Sequence, residues 1–183
     1  MNTRLNLFFS FLVAITLLTA GSLVSARPLE GQLAPAFSLQ DQNASLLSLQ
    51  DFRGQWLVLY FYPKDDTPGC TTEACQFRDD IFKIRALNAA VLGVSMDNTK
   101  SHEAFAKKYS LPFSLLADTQ GEVSAAYGSV KNAGSTRYSK RQTFIIDPEG
   151  VVRKIYRHVD PETHSQQVIA DLRALKSALT GND

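Results

Sequence analysis

Hydrophobic and polar positions alternate between two kinds of segment along the first half of the chain. Continuous apolar runs at residues 56–62 and 91–96 predict strands that are buried on both faces. Between them, apolar residues recur at helical spacing from about residue 70 to residue 87, which predicts a helix that packs on the sheet. Residues 99–109 predict a second, shorter and more charged helix that ends before Pro112.

The last third of the chain predicts a hairpin and a final helix. Residues 142–146 predict a third strand, and the turn residues 147–150 connect it to a fourth strand at residues 151–156. Apolar residues at helical spacing predict an amphipathic helix over residues 164–179. A β-α-β-α order followed by a hairpin and a helix predicts an α/β, thioredoxin-like fold with a central mixed β-sheet flanked by helices.

The first 26 residues have a pattern of their own. No charged residue lies between Arg4 and Arg27, and an apolar stretch gives way to small residues that end at Ala26. A basic start, an apolar centre and a small-residue end are typical of a secretory signal. We expect residues 1–26 to be a signal peptide and residues 27–183 to form one thioredoxin-like domain. An uncleaved segment of this length would instead anchor the chain in a membrane.

Composition and charge exclude several classes of protein. The chain has 183 residues and is 44% hydrophobic, which excludes a disordered protein. Removal of residues 1–26 takes away Arg4 and no acidic residue, so the remainder has 18 basic and 18 acidic groups. A neutral domain is not expected to bind nucleic acid. Two cysteines and three histidines are few ligands, so no metal site is expected. We expect an exported, periplasmic protein, in a compartment that permits disulfides.

The two cysteines lie where the first buried strand passes into the first helix. Thr67 and Pro68 suit the N-cap and the first position of that helix, which places Cys70 in its first turn. Free backbone N–H groups and the helix dipole stabilise a thiolate there. Cys75 follows five residues later, and Cα atoms at that spacing in a helix are about 8.6 Å apart. A disulfide needs roughly 4.4–6.8 Å, so bonding requires the helix to unwind, which favours a redox switch over a structural bridge.

The segment that begins at Pro63 resembles the active site of the peroxiredoxins. Pro63, Thr67 and Cys70 match their pattern Pro-x-x-x-Thr-x-x-Cys. A second cysteine five residues after the first is similar to the subfamily called peroxiredoxin Q or bacterioferritin co-migratory protein. The resemblance continues at residues 31–39 and at residues 141–150, and so extends across the domain. It implies a thioredoxin-like fold and a thiol-dependent peroxidase.

The resemblance also implies a role for each matching residue. Cys70 would attack a peroxide oxygen and become a sulfenic acid, which Cys75 would resolve as an intramolecular disulfide. Arg141 would hold the thiolate and the peroxide, Thr67 would place its hydroxyl against both, and Pro63 would shield the pocket from water. The substrates would be hydrogen peroxide and organic hydroperoxides. A thioredoxin-like or other dithiol would be the reductant, and the chain would be a monomer without a cofactor.

Other interpretations stay open at the level of sequence. The cysteines suit a structural disulfide of an exported protein. A thioredoxin-fold thiol–disulfide oxidoreductase is a second alternative, although such enzymes typically carry Cys-x-x-Cys. An exported copper-binding protein is a third, since thiolates and a histidine bind copper. Membrane contact is expected only if residues 1–26 stay attached. By position alone, Arg141 is one of several basic residues in a loop over residues 131–141.

The remaining polar residues of interest are interpreted as exposed or as structural. Asp65 and Asp66 precede the helix and are expected to be exposed. Glu73 is expected only to favour the N-terminal end of the helix through its charge. Three histidines stand among polar neighbours and are expected to face solvent: His102, His158 and His164.

Overall fold

The structure, a computed structural model, describes residues 27–180. Its elements in chain order are β1 (Ser38–Gln40), β2 (Leu46–Ser48), a 3-10 helix (Leu49–Phe52), β3 (Trp56–Phe61), α1 (Pro68–Asp79), α2 (Ile81–Arg85), β4 (Ala89–Ser95), α3 (Thr99–Tyr109), β5 (Ser114–Ala117), α4 (Glu122–Ala126), β6 (Val130–Ala133), β7 (Thr136–Ser139), β8 (Gln142–Ile146), β9 (Val152–Tyr156) and α5 (His164–Thr180).

Five of these strands form the central sheet, in the order β5-β4-β3-β8-β9. β3 lies in the middle, where it pairs in parallel with β4 and antiparallel with β8. β4 and β5 are also parallel, whereas β8 and β9 form an antiparallel hairpin. The predicted α/β architecture with a mixed central sheet is therefore confirmed. The order places the loop after β3 at the centre of the carboxyl edge of the parallel strands, a favoured place for a functional site.

Side chains of β3 alternate between two hydrophobic cores, one on each face of the sheet. All six residues of the strand are buried, and successive side chains point to opposite faces. Tyr60 faces the core that contains α1, α2, α3 and α5, where its ring lies 5.1 Å from that of Phe77. Phe61 faces the opposite core and lies 5.2 Å from Tyr127. Burial on both faces makes β3 the rigid base from which the next loop projects.

Most predicted elements are present, and the differences concern the first helix and the segment before β8. α3 and β8 have the predicted bounds, but the predicted helix over residues 70–87 is divided into α1 and α2. The backbone leaves the helical region at Asp80 (φ −96°, ψ 3°), which ends the first helix. The segment expected to be a basic loop, residues 131–141, contains most of the β6–β7 hairpin. β5 and α4 were not predicted either.

The predicted N-terminal signal, residues 1–26, lies outside the residues that the structure describes, as do residues 181–183. Within residues 27–180, no helix is both long enough and apolar enough to cross a membrane.

Candidate active site

Cys70 is the third residue of α1, at the point where the chain has just left the central strand. Thr67 is the N-cap, with extended backbone, and Pro68 is the first helical residue, as predicted. The first helical hydrogen bond is donated by the N–H of Thr71 to the carbonyl of Thr67. The N–H groups of the two residues before Thr71 therefore have no partner within the helix. Cys70 is buried, so it experiences this positive end of the helix in a medium that screens charge weakly.

Arg141 lies against Cys70 although 71 residues separate them. It comes immediately before β8, whose first residue, Gln142, pairs with Phe61 at the carboxyl end of β3. Its Nη2 donates a hydrogen bond to Cys70 Sγ over 3.3 Å. Gly69 leaves room for this contact, because a Cβ there would lie 3.2 Å from Arg141 Nη2. Arg141 therefore contacts Cys70 with a largely buried side chain, unlike a residue of an exposed basic loop.

Glu73 holds the other side of the same guanidinium group. Its Oε2 accepts a hydrogen bond from Arg141 Nη1, and its side chain is completely buried. Burial raises the pKa of Glu73 to about 7, although Arg141 acts in the opposite direction. The expectation that Glu73 serves only the helix N-terminus was incomplete. Its position three residues after Cys70, on the same helix face, was the signal that sequence reasoning passed over.

Tyr60 completes the buried wall of the site. Its hydroxyl is buried, and neither it nor Glu73 Oε1 has a hydrogen-bond partner among the described residues. Burial raises the pKa of Tyr60 well above its ordinary value, and the charges of Glu73 and Cys70 act in the same direction. The phenol therefore keeps its proton beside the cysteine.

Pro63 and Thr67 lie on the loop that leads into α1. The hydroxyl of Thr67 donates to the carbonyl of Lys64 over 3.0 Å, so its predicted contact with the thiolate stays a prediction. Pro63 and Lys64 line a pocket of about 340 Å³ together with residues of β7 and residues that follow β4. The other lining residues are Met96, Asp97, Thr136, Arg137 and Tyr138. The shielding role of Pro63 likewise stays a prediction.

Cys75 lies further along the same helix, with its thiol free and its side chain half-buried. Both cysteines belong to α1, so the geometry that forbids a disulfide in an intact helix applies to them. Arg78 is the basic residue near Cys75, and its Nε donates to Asp79 Oδ1 over 2.8 Å. The pKa of Arg78 is raised first by Asp79 and to a smaller degree by Cys75.

Two of the three histidines and one of two neighbouring aspartates are buried, although the sequence predicts that they are exposed. His102 and His164 are completely buried, whereas His158 is exposed as predicted. Asp65 is buried beside His102, and only Asp66 is exposed. Burial lowers the pKa of His164 to about 4, so this histidine is neutral near pH 7. Polar neighbours in sequence did not reveal these sites because the partners that bury them are distant in sequence.

Candidate metal-ligating side chains are not clustered in the part of the chain that the structure describes. Within residues 27–180, no group of three or more histidine, cysteine, aspartate or glutamate side chains is placed to hold an ion. The site is instead a cysteine at a helix N-terminus, in contact with a buried arginine. This arrangement can stabilise a thiolate and orient an oxygen-containing substrate for attack by sulfur.

Comparison with known proteins identifies the family. A family model described as AhpC/TSA family matches residues 31–155. The peroxiredoxin bcp of Coxiella burnetii is 44% identical over 146 residues, covering 78% of this chain and 97% of the relative. The chloroplastic peroxiredoxin Q of Sedum lineare is 41% identical over 154 residues, covering 84% of this chain and 82% of the relative.

A solved structure gives the same answer. It was determined in work on the alkyl peroxide reduction activity of the bacterioferritin comigratory protein of Xanthomonas campestris, and it superposes with a TM-score of 0.72. The two chains are 34% identical, and the match covers 75% of this chain and 90% of that one. The chain therefore belongs to the AhpC/TSA family and, within it, to the peroxiredoxin Q or bacterioferritin co-migratory group of thiol peroxidases.

Proposed function

We propose that Cys70 is the peroxidatic cysteine of this thiol peroxidase and that Arg141 activates it. The observation that carries the proposal is the 3.3 Å hydrogen bond from Arg141 Nη2 to Cys70 Sγ at the N-terminal end of α1. A guanidinium cation beside a thiol favours the thiolate, which is the nucleophile. Glu73 keeps the guanidinium in place by accepting a hydrogen bond from Nη1.

The first chemical step breaks the O–O bond of the peroxide. The Cys70 thiolate attacks one oxygen and becomes a sulfenic acid, and the second oxygen leaves with the bonding electrons and takes up a proton to give water or an alcohol. Arg141 can hydrogen-bond the oxygen on which negative charge develops, which lowers the barrier. Thr67 and Pro63, at the N-terminal side of the helix, are proposed to contact the peroxide and to exclude water.

The second step joins the two cysteines of α1. The Cys75 thiol attacks the sulfenic sulfur of Cys70, which forms the disulfide and releases water. Both residues lie within the helix, so α1 must unwind locally before the sulfur atoms meet. A thioredoxin-like or other dithiol then reduces the disulfide by thiol–disulfide exchange, and α1 refolds.

The pocket beside Pro63 supports organic hydroperoxides as substrates in addition to hydrogen peroxide. Its lining includes the apolar or aromatic side chains of Pro63, Met96 and Tyr138, which suit the organic group of such a substrate. The relative from Xanthomonas campestris, whose structure was studied for its alkyl peroxide reduction activity, supports the same extension. If the pocket takes the organic group, Met96→Gln lowers the rate with cumene hydroperoxide relative to the rate with hydrogen peroxide. An unchanged ratio of the two rates would exclude this use of the pocket.

We propose, in addition, that the protein acts as an exported, periplasmic monomer. The uncharged stretch between Arg4 and Arg27 and the small residues before position 27 support removal of residues 1–26 by a signal peptidase. The mass of the native protein tests the cleavage. A chain that keeps these residues and sediments with membranes would support the alternative of an N-terminal anchor, and sedimentation velocity tests the monomer.

One experiment tests the catalytic proposal directly. The reduced protein is mixed with one equivalent of hydrogen peroxide, and its intact mass and its peptides are measured. We expect a loss of two hydrogen atoms and a single disulfide between Cys70 and Cys75. Cys75→Ser is the control and should gain one oxygen on Cys70 instead. Peroxide left unconsumed, or an oxygen found on Cys75 of the wild type, would overturn the assignment.

A further inference from the structure

A buried hydrogen bond between the side chains of Asp65 and His102 fastens the active-site loop to α3. Asp65 lies in the middle of this loop, two residues after Pro63 and two residues before Thr67. Its Oδ2 is 2.9 Å from His102 Nδ1, on the second turn of α3. The side chains of both partners are almost completely buried, with 3% of Asp65 and 0% of His102 exposed. A loop so held cannot move away from α3 without exposing or separating two buried polar groups.

The hydrogen bonds around Asp65 define the protonation of the pair. Asp65 Oδ1 accepts from the hydroxyl of Tyr62, and Oδ2 accepts from the hydroxyl of Ser101, both over 2.7 Å. Burial acts to raise the pKa of Asp65, but His102, Ser101 and Tyr62 outweigh it, and the pKa is lowered. The group is therefore a carboxylate, which only accepts hydrogen bonds, so His102 Nδ1 carries the proton between them.

The same loop is fastened a second time, at the surface. Asp66 adopts a left-handed backbone conformation (φ 56°), which is strained for a residue with a side chain. Its carboxylate accepts from Lys108 Nζ over 2.7 Å and from the hydroxyl of Tyr109 over 2.6 Å. The side chains of Asp66 and Lys108 are exposed, so water and salt screen this pair. Two contacts from one helix to neighbouring loop residues thus differ mainly in burial.

We propose that His102 is a positioning residue for peroxide reduction, which acts through Asp65 to hold Pro63 and Thr67 beside Cys70. This inference rests on the proposed function, in which α1 unwinds and refolds in every cycle. The loop must stay in place while the helix next to it moves, so that the pocket is restored when Cys70 returns. The buried pair provides that fixed point, because His102 belongs to a helix that takes no part in the unwinding.

The test separates the hydrogen bond from the packing of the ring. His102→Asn keeps an N–H donor near the position of Nδ1 but fills less space, whereas His102→Leu fills the space and has no donor. Lys108→Met is the matched control, because it removes the exposed contact from the same helix. The measurement is the rate constant for the reaction of the reduced protein with hydrogen peroxide, well below each melting temperature. A small displacement of catalytic groups costs up to about a hundredfold in rate.

We expect His102→Leu to slow the reaction by about tenfold or more, and His102→Asn and Lys108→Met to stay within about threefold of wild type. If His102→Leu does not fold, Asp65→Asn tests the same contact. We expect its loss of rate to be similar to that predicted for the leucine variant. A leucine variant as fast as wild type, or an asparagine variant slower than leucine, would overturn the inference. Wild-type protein that fails to consume peroxide would instead refute the proposed function itself.

Discussion

The two cysteines of α1 have similar neighbours but very different surroundings. Each lies close to an arginine that also bonds a carboxylate: Arg141 and Glu73 for Cys70, Arg78 and Asp79 for Cys75. The side chains of the first pair are 18% and 0% exposed, and those of the second pair are 32% and 62% exposed. A charge acts more strongly on a neighbouring sulfur when water is excluded. Burial, more than the presence of an arginine, therefore distinguishes Cys70, which we propose is activated, from Cys75, which we propose resolves the sulfenic acid.

Replacing each cysteine in turn should give the largest difference in the rate of peroxide consumption. We expect Cys70→Ser to abolish peroxide consumption, because the hydroxyl of serine is a poor nucleophile at neutral pH. Cys75→Ser should react with the first equivalent of peroxide at a rate close to that of wild type. It should then stop turning over with a dithiol protein reductant, since no disulfide forms. The measurement is single-turnover and steady-state consumption of hydrogen peroxide, and equal loss of the first step in both variants would contradict the comparison.

Replacing each arginine by methionine should separate the buried pair from the exposed pair. Arg141→Met removes a charge-assisted hydrogen bond to Cys70 Sγ and a donor to the developing oxyanion, so we expect a rate loss of about a hundredfold. Arg78→Met is the matched control, and its effect should stay below about twofold because exposed pairs contribute little. Comparable losses of rate in the two variants would mean that burial does not decide which arginine activates a cysteine.

The buried carboxyl group of Glu73 should make the free energy of unfolding depend on pH. Burial raises the pKa of Glu73 to about 7, so the folded protein binds its proton more tightly than the unfolded chain does. A group with a raised pKa stabilises the fold at low pH, and this contribution is lost as the pH rises through about 7. Between pH 4.5 and pH 7.5, the free energy of unfolding of wild type should fall relative to that of Glu73→Gln, by up to about 3 kcal/mol. Chemical denaturation at several pH values measures this.

The exposed acid provides the control for that measurement. Asp79 is mostly exposed and its ion pair with Arg78 contributes little, so the free energy of unfolding of Asp79→Asn should stay within about 1 kcal/mol of that of wild type. A Glu73→Gln variant with the same pH dependence as wild type would show that Glu73 stays ionised throughout this range, and the environment assigned to it would then be wrong.

Local patterns predicted the elements that carry strong periodicity. The apolar run of β3 and the spacing of apolar residues in α3 are set within a few consecutive residues, so their bounds could be read from the sequence. The β6–β7 hairpin could not, because its residues are mostly exposed and show no alternation of apolar and polar positions. The division between α1 and α2 also escaped prediction. It depends on Asp80, whose carboxylate bonds Ser165 and Gln166 of a helix that is distant in sequence.

The same limit applies to the active site. Cys70 and Cys75 could be predicted because capping residues and helix geometry are local, whereas Arg141 was found only through a family resemblance. The burial of Glu73, Asp65 and His102 depends on partners that folding brings together, and single-sequence patterns expect charged residues to be exposed. Charged residues within a few positions of a candidate nucleophile therefore warrant an interpretation as site residues before the structure is known.

Gly69 lies close to the buried side chain of Arg141, and replacing Gly69 should have the smallest effect on the rate among these predictions. A Cβ at this position would lie 3.2 Å from Arg141 Nη2, so Gly69→Ala should displace the guanidinium by a few tenths of an ångström. The hydrogen bond to Cys70 Sγ would lengthen, and we expect the reaction with peroxide to slow by about threefold to fivefold. Alanine favours the helix by up to about 1 kcal/mol, so stability should not fall. A slower reaction in a protein of equal or greater stability would locate the effect in the contact with Arg141. An unchanged rate would mean that the Arg141 side chain adjusts freely. The buried pair of Arg141 and Glu73 would then be less closely packed than its distances indicate.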